Sequence, residues 1–333
     1  MKKKVELVLS EPIYSTFHNQ GPGSAVLVNN PSIRNYYLNE TMILTCTRKF
    51  LHGFTTPEIN IIRSSWHSNP HLEKQWYDMR FLGGYIHPVI RNLLDEGYCV
   101  CFAGIDDFYV EGKSWYMERH FCHDGAICGY DRTNKTYCLY AYDCNWVYRK
   151  FWTSQDSFDA GRKAMFKKGV HGTICGIKAK EEQVQFSPNT ALEKIGEYLH
   201  SSMDHYPEDG EGSVYGIVVH DYIAKYIGKL YDGSIPYERM DRRIFRLIWE
   251  HKKTMLERIV CIENAFAMAP EISKRYESVV ADANTIRTLY ASHHMKRRDA
   301  VLPIVQKKLL ALKGSEQSLL TNLLEKSKEY KLI

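Results

Sequence analysis

The sequence predicts an α+β domain over residues 1–180 followed by a helical domain over 187–333. Three observations lead there. Up to about residue 180 the chain is rich in Tyr, Cys, Gly and β-branched residues with turn residues at short intervals, the texture of short strands. From about Ser187 onward, apolar residues recur at helical spacing, as Ile244, Leu247, Ile248, Met255 and Ile259 do. Between the two lies a polar, charged stretch, 178–190, that reads as the seam. At 333 residues the chain is long enough for two ordinary domains or one large one.

The first strand is predicted over Val5–Leu9. Its context, MKKKVELVLSEPIY, is basic but lacks a long apolar core and a small-residue cleavage site, so it reads as a strand rather than a signal peptide. A helix is predicted over Ser24–Asn29. Further strands are predicted over Met42–Cys46, Tyr98–Ala103, Asp107–Val110, Gly125–Tyr130, Tyr137–Tyr142 and Gly172–Ile177, where apolar runs lie between turn residues. His87–Glu96 is a helix with Pro88 just inside its start and Gly97 just past its end. Val89, Ile90, Leu93 and Leu94 share one face. In the second half, SPNTALEKIGEYLHSSM opens on an Asn/Thr cap, and YERMDRRIFRLIWEHKKTMLERIVCIENAFAMAP is the central helical stretch. VLPIVQKKLLALKG and SEQSLLTNLLEKSKEY read as two closing helices.

Composition narrows the function classes. The formal net charge of +5 is too weak to point to nucleic acid and suits an acidic partner or substrate group. No run of about 18 uncharged apolar residues occurs, so no transmembrane helix is expected. The nine cysteines are odd in number and sit in apolar contexts such as GYCVCFAG. They read as reduced, buried thiols of a cytoplasmic protein without structural disulfides. Cys99 and Cys101 are one residue apart in a strand run, which suits core thiols better than zinc ligands spaced across a turn. The basic clusters His293–Ala300 and Glu250–Arg258 read as solvated helix faces, with a dock for an acidic carrier protein as the functional alternative.

The chemistry concentrates in HFCHDGAICGYDRTNKTYCLYAYD, His120 to Asp143. DRTNK is a turn between two apolar runs. Antiparallel pairing across it would bring Asp143, at the end of the return strand, beside His123, at the start of the first. A carboxylate beside an imidazole fixes its tautomer and stabilises its protonated form, which suits a general base. A packed structural histidine is the competing reading.

This hairpin resembles the histidine-and-aspartate hairpin of papain-like cysteine peptidases. It looks most like the peptidase domain of bacteriocin-exporting transporters and its biosynthetic relatives in nonribosomal-peptide clusters. In that pattern a catalytic His opens a strand, a Gly lies six residues later, and the catalytic Asp ends the next strand. His123, Gly129 and Asp143 match. The resemblance implies a papain-like domain with an antiparallel sheet, here followed by a helical C-terminal domain. Related papain-like proteins, including the closthioamide amide synthetase and the butirosin acyltransferase, form amides from carrier-bound thioesters.

A papain-like site needs a cysteine at a helix N-terminus, where the thiol pKa is lowered. HNQGPGSAVLVNN is the matching place, yet it holds none. Gln20 stands at the cysteine's place in the transporter-peptidase register. In the papain register Gln20 would be the oxyanion-hole glutamine and Ala25 would stand at the cysteine's place. Three explanations stay open: a relocated nucleophile at Cys46 or, less well activated, Ser24; a cleft that binds without reacting; or a cysteine replaced by Ala25.

The reading that joins these observations is amide-forming acyl transfer in antibiotic-type nonribosomal-peptide biosynthesis. His123 is the base, Asp143 its orienter, and Gln20 an oxyanion or substrate-amide contact. The expected partners are an acyl or peptidyl carrier protein and a small amine or peptide acceptor, with no nucleic acid and no membrane. No cofactor or metal is expected beyond the carrier's phosphopantetheine. The alternatives are a silent papain-like binding protein and a peptidase or thioesterase with a relocated nucleophile.

Overall fold

The structure, a computed structural model, describes residues 2–53, 55–201 and 212–330. Ser202 and Met203, at the end of the predicted SPNT helix, lie outside the described residues. The chain runs through β1 (Lys4–Glu6), α1 (Gly21–Ala25), α2 (Arg34–Glu40), β2 (Leu44–Thr47), β3 (Asn60–Ile61) and β4 (Leu72–Asp78). Next come α3 (Met79–Leu82), α4 (Ile86–Asp95), β5 (Cys99–Asp106), β6 (Cys122–Asp131), β7 (Thr136–Tyr142), β8 (Tyr148–Ser154), α5 (Gln155–Lys167) and β9 (Thr173–Ala179). It ends with α6 (Pro188–His200), β10 (Ser213–Tyr215), α7 (Val219–Tyr231), α8 (Ile244–Ala265), α9 (Glu271–Lys296) and α10 (Val301–Tyr330). The fold is mixed α and β, with an antiparallel sheet and a helical C-terminal region.

Contacts divide the chain into Met1–Arg34 with Ser65–Gln183, and Asn35–Ser64 with Val184–Ile333. Residues 35–64 therefore group with the helices, unlike the linear split into 1–180 and 187–333. Two interactions explain the grouping. β2 pairs antiparallel with β10, Cys46 opposite Val214. The buried Arg258 of α8 donates to the carbonyls of Leu38, Tyr37 and Thr41, satisfying groups that the end of α2 would otherwise leave bare.

In the sheet unit seven strands pair in the order β4-β9-β5-β6-β7-β8, and β1 also pairs with β6. α4 lays Ile86, Ile90, Leu93 and Leu94 against Val100, Ile127, Tyr130 and Leu139, and Phe158 of α5 joins them. Each such side chain contributes about 1.5–3 kcal/mol when buried, so this layer fixes the sheet that carries the site. The predicted strand Asp107–Val110 is instead a 3-10 turn over Asp107–Tyr109, because Asp106 turns its carboxylate onto the Phe108 N–H. The predicted helix Ser24–Asn29 divides into the end of α1 and a 3-10 turn over Val26–Asn29.

The helical unit packs α6 to α10 around fully buried polar groups. Lys252 Nζ lies 2.7 Å from Glu316, and Tyr198 and Tyr276 both donate to that carboxylate. The two predicted closing helices are one helix of 30 residues. Gly314 costs about 1 kcal/mol in mid-helix. Buried Leu309, Leu312, Leu319, Leu320 and Leu323 carry one stripe across it and outweigh that cost. α6 is capped by Ser187, which accepts from Thr190 N–H, and not by the predicted Asn/Thr pair. Among the described residues no helix is long and apolar enough to cross a membrane.

Candidate active site

His123 sits on β6 where that strand pairs with β5. The ladder slips by one residue between Phe102 and Ile105, so that Ile105 faces His123 and the next residues bend into the 3-10 turn. That bend delivers Asp107. Its Oδ2 lies 2.8 Å from His123 Nδ1. A carboxylate can only accept, so the shared proton sits on Nδ1 and the Nε2 lone pair is left available. The His123 side chain is 26% exposed, while that of Asp107 is 3% exposed. On its other side Asp107 faces buried Lys113, with Nζ 3.5 Å from Oδ1. Burial pulls the Lys113 pKa down, and Asp107 partly restores it.

Asp143 does not orient His123. Continuing the β6–β7 register beyond Ala126 opposite Tyr140 would place residue 143 across from residue 123, as the hairpin reading expects. The carboxylate, however, turns into its own loop, accepting from the N–H groups of Asn145 and Val147 and from Arg149. Burial opposes its charge, yet these donors hold its pKa below the ordinary value. Asp143 builds the β7–β8 turn, and Asp107 is the orienter.

A second histidine–carboxylate pair stands beside the first. Asp106, fully buried, accepts from His120 Nδ1 at 2.8 Å and from the Phe121 N–H. Burial raises its pKa, but these bonds overcome that and lower it. His120 is 51% exposed and stacks on Phe108 at 4.3 Å.

The entry to α1 is near the histidine but supplies no nucleophile. Gln20 is buried and turns its Oε1 toward the Phe17 N–H. Ser24 is buried too, with Oγ donating to Gly21 O and accepting from Ile13 N–H. Ala25 is sealed in the core. Cys46 belongs to the helical unit and lies on a strand, where burial pushes its thiol up to about 12. Neither Ser24 nor Cys46 is prepared for attack. What meets the His123 ring is His18, edge to face at 4.4 Å. Its two ring nitrogens are shut from water and, among the described residues, have no hydrogen-bond partner. Burial, then Lys113 and His123, keep its pKa well below the ordinary value, so it is neutral. Gly21 lets the start of α1 approach Tyr148, since a Cβ there would collide with Tyr148 Oη.

His18 also lines a cleft of about 100 Å3, with Trp66, His67, Trp76, Asp124 and Gly125. Its inner thiols are Cys101, raised well above the ordinary range by burial, and Cys175, raised to about 12 by the same cause. Phe121 flanks the His123 ring at 4.9 Å, and Trp115 lies beyond it. Sequence reasoning missed Asp107, His18 and Asp124. The signal for the first was IDDF, two adjacent acids closing a buried apolar run. No family model matches the chain. No curated protein matches it either.

Proposed function

We propose that the sheet unit carries out amide-forming acyl transfer from a carrier-bound thioester, with His123 as general base and Asp107 as its orienter. The observation that supports this is the His123 ring itself, partly exposed, with Nδ1 committed to Asp107 and with His18, a wall of the cleft, packed against it. Nε2 takes a proton from the acceptor amine as its nitrogen attacks the thioester carbonyl. The C–N bond forms, the C–S bond breaks, and the imidazolium returns the proton to the departing thiolate. A thioester needs less activation than an amide, so this chemistry tolerates a site without a helix-borne cysteine. The raised thiols of Cys46, Cys101 and Cys175 argue against a covalent cysteine route. Gln20 supports the site indirectly, through the turn that holds His18.

The test is transfer from an acyl carrier protein thioester to a small amine, with and without the amine. Amide formation that is lost in His123→Ala supports the reading. Free acid formed at the same rate without amine points to a thioesterase instead. Unchanged amide formation in His123→Ala sinks the general-base role. The alternative of a cleft that binds without reacting draws on one observation, the His18 ring packed against His123.

A further inference from the structure

We propose that the cleft beside His123 receives an ammonium group carried by the acyl acceptor. This rests on the acyl-transfer reading and names the acceptor's chemical class. Asp124 is exposed at the cleft and, among the described residues, has no ion pair or hydrogen bond. The nearby lysines face other groups, although Lys113 and His67 also feel the Asp124 charge. Asp107 faces Lys113 at 3.5 Å, and Lys74 donates to the carbonyls of His67 and Asn69 at 2.8 and 2.7 Å. The Trp66 and Trp76 rings lie 5.3 Å apart and tilted by 30°, with His67 against both. Indole faces are the best aromatic surfaces for a cation.

His18 lines the cleft as a neutral imidazole whose nitrogens are shut from water, so it adds no charge that would repel a cation. An ammonium supplies donors and the opposite charge for Asp124. A carboxylate or phosphate would meet Asp124 with like charge. A wholly apolar group would leave Asp124 without a counter-charge. Burial, and then Lys74, lower the His67 pKa, so its ring does not repel a cation at neutral pH. A volume of about 100 Å3 suits a short alkylammonium arm.

The probe is n-butylammonium, with 1-butanol as its neutral counterpart. Both are titrated into the full chain at pH 7 and followed by tryptophan fluorescence and calorimetry. We expect saturable butylammonium binding at least tenfold tighter than butanol, weakened about tenfold in Asp124→Asn and several-fold in Trp76→Leu. Both positions are exposed, and circular dichroism checks that each variant folds. Butanol binding as tightly as butylammonium would overturn the proposal, as would a folded Asp124→Asn that binds unchanged. The two readings fail separately. Transfer lost in His123→Ala alongside cation binding indifferent to Asp124→Asn removes the ammonium site alone. Selective, Asp124-dependent binding with transfer unaffected by His123→Ala keeps the site and removes the base.

Discussion

His123 in the sheet unit and His251 in the helical unit have similar company and different prospects. Each lies near one carboxylate and one lysine: Asp107 and Lys113 for His123, Glu316 and Lys252 for His251. His251 is fully buried and has both nitrogens occupied, Nε2 by the Met42 carbonyl at 2.7 Å and Nδ1 by Lys252 at 3.3 Å. Burial, then Lys252, push its pKa well below the ordinary value. His123 is partly exposed and keeps one nitrogen open. The residue types are nearly the same, so composition does not separate an open cluster from a sealed one. The uncommitted nitrogen and its access to solvent do.

The largest effect should come from the sealed side. Glu316→Leu strands Lys252 as a buried, unpaired charge, and breaking such a pair costs about 3–5 kcal/mol. Urea unfolding of the full chain should register that loss, and adding Lys252→Met should recover most of it. A loss below about 1 kcal/mol would mean the two clusters differ less than described. On the open side, His123→Ala should slow acyl transfer by about 10²–10⁴-fold while the urea midpoint barely moves. A large midpoint shift with little change in rate would reassign His123 to structure.

Acid gives the next, smaller effect. Below about 6.5 the unfolded chain protonates His220, whereas burial, then Lys252, hold the folded pKa down to about 4. The unfolded state thus binds more protons between those values, and stability falls as pH drops through that window. From pH 7 to pH 5 this group alone should remove about 2 kcal/mol, measurable as a lower urea midpoint. A flat midpoint would show that the helical interior admits protons. The smallest effect on rate is expected at His120→Ala, which takes a half-exposed ring from the buried Asp106 carboxylate but leaves it the Phe121 and Phe108 N–H groups, and should leave transfer unchanged. A tenfold rate loss there would make the second histidine–carboxylate pair part of the site.

The sequence made local features legible and long-range ones much less so. α4 announced itself through Pro88, its apolar face and Gly97. The β6–β7 hairpin was legible because a short turn fixes its register. β4 escaped because LEKQWYD is a sheet-end strand whose exposure follows no clean alternation. α5 escaped because QDSFDAGRKAMFK is short of apolar residues. His123 was singled out from the sequence, but the carboxylate that pairs with it was misassigned. Choosing Asp107 over Asp143 required knowing that β5 pairs with β6 and slips by one residue before the turn. That pairing spans a loop whose length sets no register, and an acid at the end of a strand can as readily cap its own turn, as Asp143 does.

The His18 ring against His123 is also a mounting point for protein engineering. A thiol grafted at that position would meet a base that already has its carboxylate, at the lip of an aromatic cleft. With only five residues, α1 lends such a sulfur little dipole assistance, so the imidazole would have to activate it. The contact therefore marks where a single side chain could place a sulfur against an imidazole that already has its carboxylate.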